Sequence, residues 1–418
     1  MRRESVARAF VGALVRGGPG GTPRPIEAHA ADPQRYVGDM LAWAHQACAS
    51  ERELLDTLFS LAGGGDPPAA GGRGLDGQRS GDAKARLLAT VLESIARPLE
   101  IRIRQTIDEL DEPAAVYRVD GLLEFYCELF AVMCPVDSVF LSTARGLAVS
   151  ARAKLASCLD ALVEAAVNDV DVVGMRSSSS GGGLVSPALE VPASLRVLLT
   201  VVVNVLRLHE DSISQPRTGS GGVSAAVAPV GETVARVLER VHREMHAAIG
   251  QSDHDKYLRP YEQTMLKLNI LNAMQDATMP FTDELCQWHS LGAEEERVLT
   301  EQLCAQLVEI LKAKSHLPFG PASEQLVEEM GVDRLAVCWD RFNQTLKAAT
   351  DLDLGRLTAR LHSHVAARAV GAQAAQAFVA EYAALQSRVA AVVVAGGSEP
   401  GDALLAALHP PETVATLL

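Results

Sequence analysis

With 418 residues, 48% of them hydrophobic, the chain can bury substantial cores, enough for about two to four domains or one elongated helical array. A net charge of -14, with no basic run longer than Arg2 and Arg3, argues against nucleic-acid binding, which needs clustered cations to neutralise phosphates; the acidic balance implies solubility. Seven cysteines (Cys48, Cys127, Cys134, Cys158, Cys286, Cys304 and Cys338) are odd in number and scattered along apolar helical faces, a pattern of buried, reduced cytosolic thiols and not of a disulfide framework.

In chain order, Met1 to Leu14 reads as an amphipathic helix with Val6, Phe10 and Leu14 on one side. Its arginines and apolar patch mimic a signal or transit peptide, but Glu4 and Arg8 interrupt it and no small-residue cleavage pattern follows. Gly17 to Gly21 permit unusual backbone angles while Pro19, Pro23 and Pro25 restrict theirs, so the segment reads as a shaped loop. A helix then begins sharply, with Asp32 as N-cap and Pro33 at the first helical position. Val37, Met40, Leu41, Ala44 and Cys48 form its apolar stripe, flanked by Tyr36 and Trp43. Ser50 with Glu53 is a capping pattern that predicts a restart toward Leu54, Leu55, Leu58 and Phe59.

The resemblance of the chain to a known family rests on this opening. The tokens RGGPGGTPRPIE (Arg16 to Glu27), DPQRYVGDMLAWAHQ (Asp32 to Gln46) and ASERE (Ala49 to Glu53) are long, rare in composition and correctly ordered, and with Arg2 to Arg16 they resemble the middle of subunit 6 of the conserved oligomeric Golgi complex. Weaker echoes follow in IARPLEIRIRQTI (Ile95 to Ile107) and PETVATLL (Pro411 to Leu418). The resemblance implies a non-enzymatic tether subunit built of stacked helical bundles of the complex-tethering (CATCHR) type, held peripherally on the cytosolic face of Golgi membranes through its complex. It implies action in retrograde vesicle transport and contacts with sister subunits, SNAREs and Rab-type GTPases. It also implies that Met1 falls where the relatives are already under way, so that their N-terminal coiled-coil half is missing here.

Gly63 to Gly81, Arg176 to Val185 and Ser214 to Gly222 read as flexible surface insertions, because their Gly, Ser and Pro content cannot offset the entropy cost of packing. The expected organisation is therefore N-terminal helices at 1–62, an insertion at 63–81, a helical bundle at 82–174, insertions around a buried helix at 175–222 and C-terminal bundles at 223–418. Helical stripes recur throughout. Leu87, Leu88, Val91, Leu92 and Ile95 lead to a kink at Pro98 before Leu99, Ile103, Ile107 and Leu110; Val116, Val119, Leu122, Leu123, Tyr126, Leu129 and Phe130 make the next. Leu195 to Leu208 is the longest apolar run, yet it falls short of the ~20 residues that span a bilayer and reads as a buried helix. Val298, Leu303, Leu307, Ile310 and Leu311 form a later stripe, and Ala369 to Val394 is Ala-rich with Phe378, Tyr382 and Leu385 as its larger side chains. With no alternating strand pattern and no fixed repeat, the fold class is all-α.

Motifs that carry chemistry elsewhere are empty here. Gly72, Gly74 and Gly77 satisfy G-x-G-x-x-G but lie outside any strand–turn–helix context. His242 and His246 lie one turn apart, but Arg243 occupies the general-base position of the zincin pattern, so HREMH reads as a solvated helix face. His362 and His364 point to different sides of a helix, and the Asn343 sequon reads as plain helix surface. Cys127 and Cys134, two turns apart, read as core thiols, and Glu294 to Glu296 as a solvated cluster at a helix start. No catalytic residue, cofactor or metal site is expected. Candidate partner contacts are Arg24, presented between two prolines in the shaped loop, with Tyr36 and Trp43 beside it; the aromatic pair also fits ordinary core positions. A free-standing cytosolic helical scaffold or adaptor unrelated to Golgi traffic is the rival to the tether reading.

Overall fold

The computed structural model describes residues 1–18, 22–62, 75–176, 189–214, 230–250, 258–319, 323–348, 354–396 and 404–418. Among them every regular element is helical and no strand occurs, so the protein is all-α. Of the three insertions read from the sequence, 63–74, 177–185 and 215–222 lie outside the described residues, as do 19–21 of the loop and Gly72 and Gly74 of the glycine motif.

The chain divides into two compact units, one of Met1–Leu162 with Thr200–Thr233 and the other of Val163–Leu199 with Val234–Leu418. The first unit holds α1 (Arg2–Val15), a 3-10 turn at Ile26–His29, α2 (Pro33–Ala62), α3 (Leu75–Glu109) and α4 (Pro113–Met133). Residues of α5 (Val139–Arg176) and α6 (Ala193–Ser214) are shared between the units. In the first unit α1 packs on α3, and α2 lies against both α3 and α4.

The sequence pattern chose the buried face of α1 correctly: Val6, Phe10 and Leu14, at intervals of four, are its buried residues. Burying such side chains contributes about 1.5–3 kcal/mol each. At the start of α2 the Arg35 amide donates to Asp32 Oδ1 at 3.1 Å, the expected cap, and Tyr36, Val37, Met40, Leu41, Ala44 and Cys48 are buried. The restart at Ser50 does not occur. Without Gly or Pro after Val37 and Gly38 to open the hydrogen-bond ladder, α2 runs unbroken to Ala62, and Leu54 and Leu58 stay exposed. α3 begins at Leu75, within the stretch read as insertion, and runs on past Pro98. Its buried phase is set by Leu88, Leu92, Ile95, Leu99 and Ile103; Leu87, one residue and so ~100° out of that phase, is 47% exposed. α6 is buried along one face only, through Leu195, Leu198, Leu199, Val202, Val205 and Leu206, while Val197 is 54% exposed.

Between α4 and α5, Asp120 is 8% exposed and faces Arg152, whose Nε lies 3.5 Å from Oδ1, too far for a strong hydrogen bond. Arg152 also pairs with Glu124. Burial outweighs the Arg152 charge and raises the Asp120 carboxyl from 3.8 to about 6. Because the folded value lies above the unfolded one, the group's contribution to stability is lost as pH rises from about 4 through about 6. Asp120→Asn is therefore expected to stabilise the protein by on the order of 2–3 kcal/mol at pH 7 and by little at pH 4, as read from denaturant midpoints at the two pH values.

The second unit holds α7 (Val230–Gly250) from Val234 onward, α8 (Pro260–Thr278), α9 (Cys286–Ser315), α10 (Ser323–Ala348), α11 (Leu354–Thr358), α12 (His364–Gly396), a helical turn at 404–407 and α13 (Pro411–Leu417). α9 packs against α8, α10 and α12, and α12 also meets α10, α11 and α13. α8 is buried on nearly all sides, with Met265, Leu266, Leu268, Ile270, Leu271 and Met274 alongside buried Glu262, Thr264, Asn269 and Thr278. α10 breaks at Gly331, whose φ of +69° suits a residue without Cβ. By length and composition α12 from His364 to Val394 is long and apolar enough to cross a membrane. Its larger side chains, Phe378, Tyr382, Leu385 and Val389, are buried within the second unit.

Several motif readings change in this context. Glu294 to Glu296 sit inside α9, not at its start, because the helix begins earlier at Cys286; Glu294 pairs with Arg297. Val298 is exposed and Leu299 takes its place in the stripe. His362 precedes α12, where its amide donates to Asn269 Oδ1, so the two histidines do not share a helix. Asn343 is half-buried and donates to the Ala407 carbonyl at 3.2 Å. The HREMH face is not solvated. His242 is buried, its ring tilted 49° to that of His246 with centroids 3.9 Å apart, and desolvation, followed by the His242 charge and Lys267, pushes His246 down to about 3.

All seven cysteines are free. Cys134 lies just past the end of α4, and its hydrogen bond to Cys48, together with burial, pushes the Cys48 thiol far above its ordinary value; burial likewise raises Cys127 to about 11. Since the thiolate is the reactive form, a disulfide-exchange reagent at mildly alkaline pH is expected to label exposed Cys286 first, with Cys48 and buried Cys304 reacting only on unfolding; peptide mapping after timed labelling reads the order.

Candidate partner-binding groove

A groove of about 910 Å³ opens in the first unit between α1, the loop that follows it, the 3-10 turn and the start of α2. Each wall has a local cause. On α1, Arg8, Gly12 and Arg16 recur at steps of four and so form one edge, with Gly12 lowering the middle of it. On α2, Arg35, Asp39 and Trp43 recur at the same step and form the facing edge.

The loop closes one end. Arg16 and Gly17 amides both return to the Gly12 carbonyl, at 2.8 and 3.0 Å, and end α1. Gly17 has φ +73°, and a Cβ there would stand 2.4 Å from the Pro23 carbonyl oxygen, so no other residue fits this turn without movement. The Gly18 amide then donates to that same carbonyl at 2.8 Å, which folds the proline segment back over the end of α1 and delivers Arg24 to the groove.

Charge is uneven here. Among the described lining residues four arginines (Arg8, Arg16, Arg24 and Arg35) meet a single carboxylate, Asp39, on a chain whose net charge is -14. Asp39 is occupied by His29, whose Nδ1 lies 2.7 Å from Oδ2, and by Arg35 at 3.7 Å. The base is aromatic: Trp43 packs on buried Phe10 with ring centroids 5.0 Å apart. Such a surface suits a ligand that offers carboxylates to guanidinium forks and an apolar side chain to an indole. Neither serine nor cysteine stands beside His29 among the described lining residues, so the arrangement offers no nucleophile for a His–Asp pair to activate.

Of the residues singled out from the sequence, Arg24 is exposed and lines the groove, and half-buried Trp43 lines it too. Tyr36 is buried away from it, and desolvation raises its phenol above the ordinary value. Sequence reasoning missed Arg8, Arg16, Arg35 and Asp39. The available signal was their four-residue spacing on two successive helices, interleaved with Ala9, Gly12, Ala13 and Ala42, small enough to leave a trough.

Comparison with known proteins places the whole chain, residues 1–418, within the family model described as conserved oligomeric Golgi complex subunit 6, C-terminal. The chain is 46% identical over 127 residues to conserved oligomeric Golgi complex subunit 6 of Rattus norvegicus, covering 30% of this chain and 17% of the relative. The Homo sapiens protein of the same name gives the same identity and coverage. That of Pyricularia oryzae is 29% identical over 313 residues, 70% of this chain and 41% of the relative. The chain thus spans less than half the length of the curated relatives it matches.

Proposed function

Because the chain belongs to the family of conserved oligomeric Golgi complex subunit 6, through that family's C-terminal region, we propose that it serves as a non-catalytic subunit of a multisubunit vesicle tether in retrograde intra-Golgi transport. The observation that carries this reading is the family match along the full chain. The all-helical architecture supports it, since packed helices of the complex-tethering type offer long surfaces to partner helices while burying their own cores. In this reading the protein sits peripherally on the cytosolic face of Golgi membranes and reaches the membrane only through its complex. Its partners are the sister subunits, with SNAREs and Rab-type GTPases as further contacts.

The arginine-lined groove, with Arg24 and Trp43, is the surface we assign to a partner subunit's acidic segment. Affinity capture of the tagged chain under gentle lysis, followed by mass spectrometry, tests the proposal. Recovery of other Golgi-tether subunits is expected, as are colocalisation with Golgi markers and disturbed glycosylation of secreted proteins when the gene is lost. Absence of those subunits from the captured material would leave the free-standing adaptor reading in possession.

A further inference from the structure

In the second unit, α7 carries His242 and His246 one turn apart, and α9 sets Glu295 opposite them. One ring nitrogen from each histidine and a carboxylate oxygen of Glu295 all lie within 4.8 Å of one another. His246 Nδ1 is 3.9 Å from Glu295 Oε1. Zinc binds imidazole and carboxylate at about 2.0–2.2 Å in a tetrahedron, which sets ligand atoms roughly 3.4 Å apart, so side-chain rotation by about 1 Å closes the set.

A second observation is independent of that spacing. His242 is 8% exposed, and its Nε2 is buried without a hydrogen-bond partner. An imidazole nitrogen left in that state opposes folding unless something takes up its lone pair or proton. The Trp288 ring, 6.0 Å from that of His242 and nearly perpendicular to it, closes the apolar side. His246 is oriented from outside: Nε2 lies 3.4 Å from the Lys267 carbonyl oxygen, and a proton on Nε2 leaves the Nδ1 lone pair on the Glu295 side. Histidines that bind metals are commonly held by such an outer contact.

We propose that His242, His246 and Glu295 form a zinc site that ties α7 to α9, with the fourth position left to water. Arg243 stands exposed where the metalloprotease pattern has its glutamate, so the site lacks a general base and acts structurally. Lys267 is the opposing charge: its ammonium disfavours protonation of both imidazoles and opposes a dication in the same way. The site is independent of the tether reading, and either can fail without the other.

The test is metal uptake by the purified full chain after chelator treatment and dialysis against zinc or cobalt. One zinc per chain by mass spectrometry of the metal, visible absorption of tetrahedral cobalt and a zinc-dependent rise in the thermal midpoint are expected. Glu295→Gln and His246→Gln should each weaken zinc binding at least as much as the 10–100-fold that loss of an outer partner typically costs, and Lys267→Met should tighten it. Glu295 is partly exposed, so its variant keeps the fold, with far-ultraviolet dichroism as the check. Failure of the wild-type chain to take up either metal, or uptake that both ligand variants leave unchanged, overturns the site.

Discussion

Replacing Asn269 with leucine is expected to destabilise the protein by about 3–5 kcal/mol. Asn269 is 1% exposed in the middle of α8, and its amide bridges three backbone groups far away in sequence. Nδ2 donates to the carbonyls of Leu189 at 2.8 Å and Arg360 at 2.9 Å, and Oδ1 accepts from the His362 amide at 2.7 Å. Leucine has nearly the same volume, so the cost comes from leaving two carbonyls and an amide without that partner in a buried place, at about 1–3 kcal/mol for each group that finds no other. Nearby, Glu262 is also buried and pairs with Arg360 at 2.8 Å, so the loss falls on a segment already fastened to α8. Asn272, one turn further on, gives the control. Its Nδ2 is buried without a partner, and Asn272→Leu is expected to be near neutral or stabilising. Denaturant midpoints for the two variants should separate clearly; equal shifts would mean that the three hydrogen bonds carry no particular weight.

Trp339→Ala is expected to cost a similar amount, about 3–5 kcal/mol, by a different mechanism. Trp339 is fully buried where α10 meets α12, within an aromatic cluster of Phe342, Phe378 and Tyr382. Its ring lies 6.3 Å from that of Tyr382, which in turn lies 5.4 Å from Phe342. Truncation removes the transfer free energy of the indole and leaves a cavity that rigid helices cannot fill. The polar end of the cluster adds a link to the C-terminus: Trp339 Nε1 is 3.4 Å from the Tyr382 hydroxyl, which donates to the His409 carbonyl at 3.0 Å, just ahead of α13. Amide hydrogen exchange should therefore show α13 and the C-terminal half of α12 losing protection, with α1 and α2 unchanged. Tyr382→Phe keeps the volume, loses only the hydroxyl, and is expected to cost about 1 kcal/mol. A Trp339→Ala variant no less stable than Tyr382→Phe would show that the cluster tolerates the void.

Much of this molecule was legible before its structure. Val6, Phe10 and Leu14, the Asp32 cap with Pro33, and the stripe from Val37 to Cys48 follow from local rules, because a 3.6-residue period puts such positions on one face wherever the helix lies. The all-α class and the family likeness of the opening stretch rest on the same local information. Errors arose where a local cue had no tertiary partner to enforce it: Ser50 with Glu53 resembles a cap, but α2 continues through both, and Glu51 between them is held by Arg2 of α1.

The sequence by itself determined that the chain is helical and which apolar faces turn inward, since both depend on neighbours within a few residues. Only the tertiary structure decided which polar groups are buried and what they meet. Asp120 beside Arg152, Asn269 between Leu189 and Arg360, and His242 opposite Glu295 are brought together from distant segments. The arginines of the groove belong with them, because their grouping depends on Gly17 turning the chain back so that α1 and α2 face each other across Arg24. Desolvation and charge act through space, and periodicity along the chain carries no record of them.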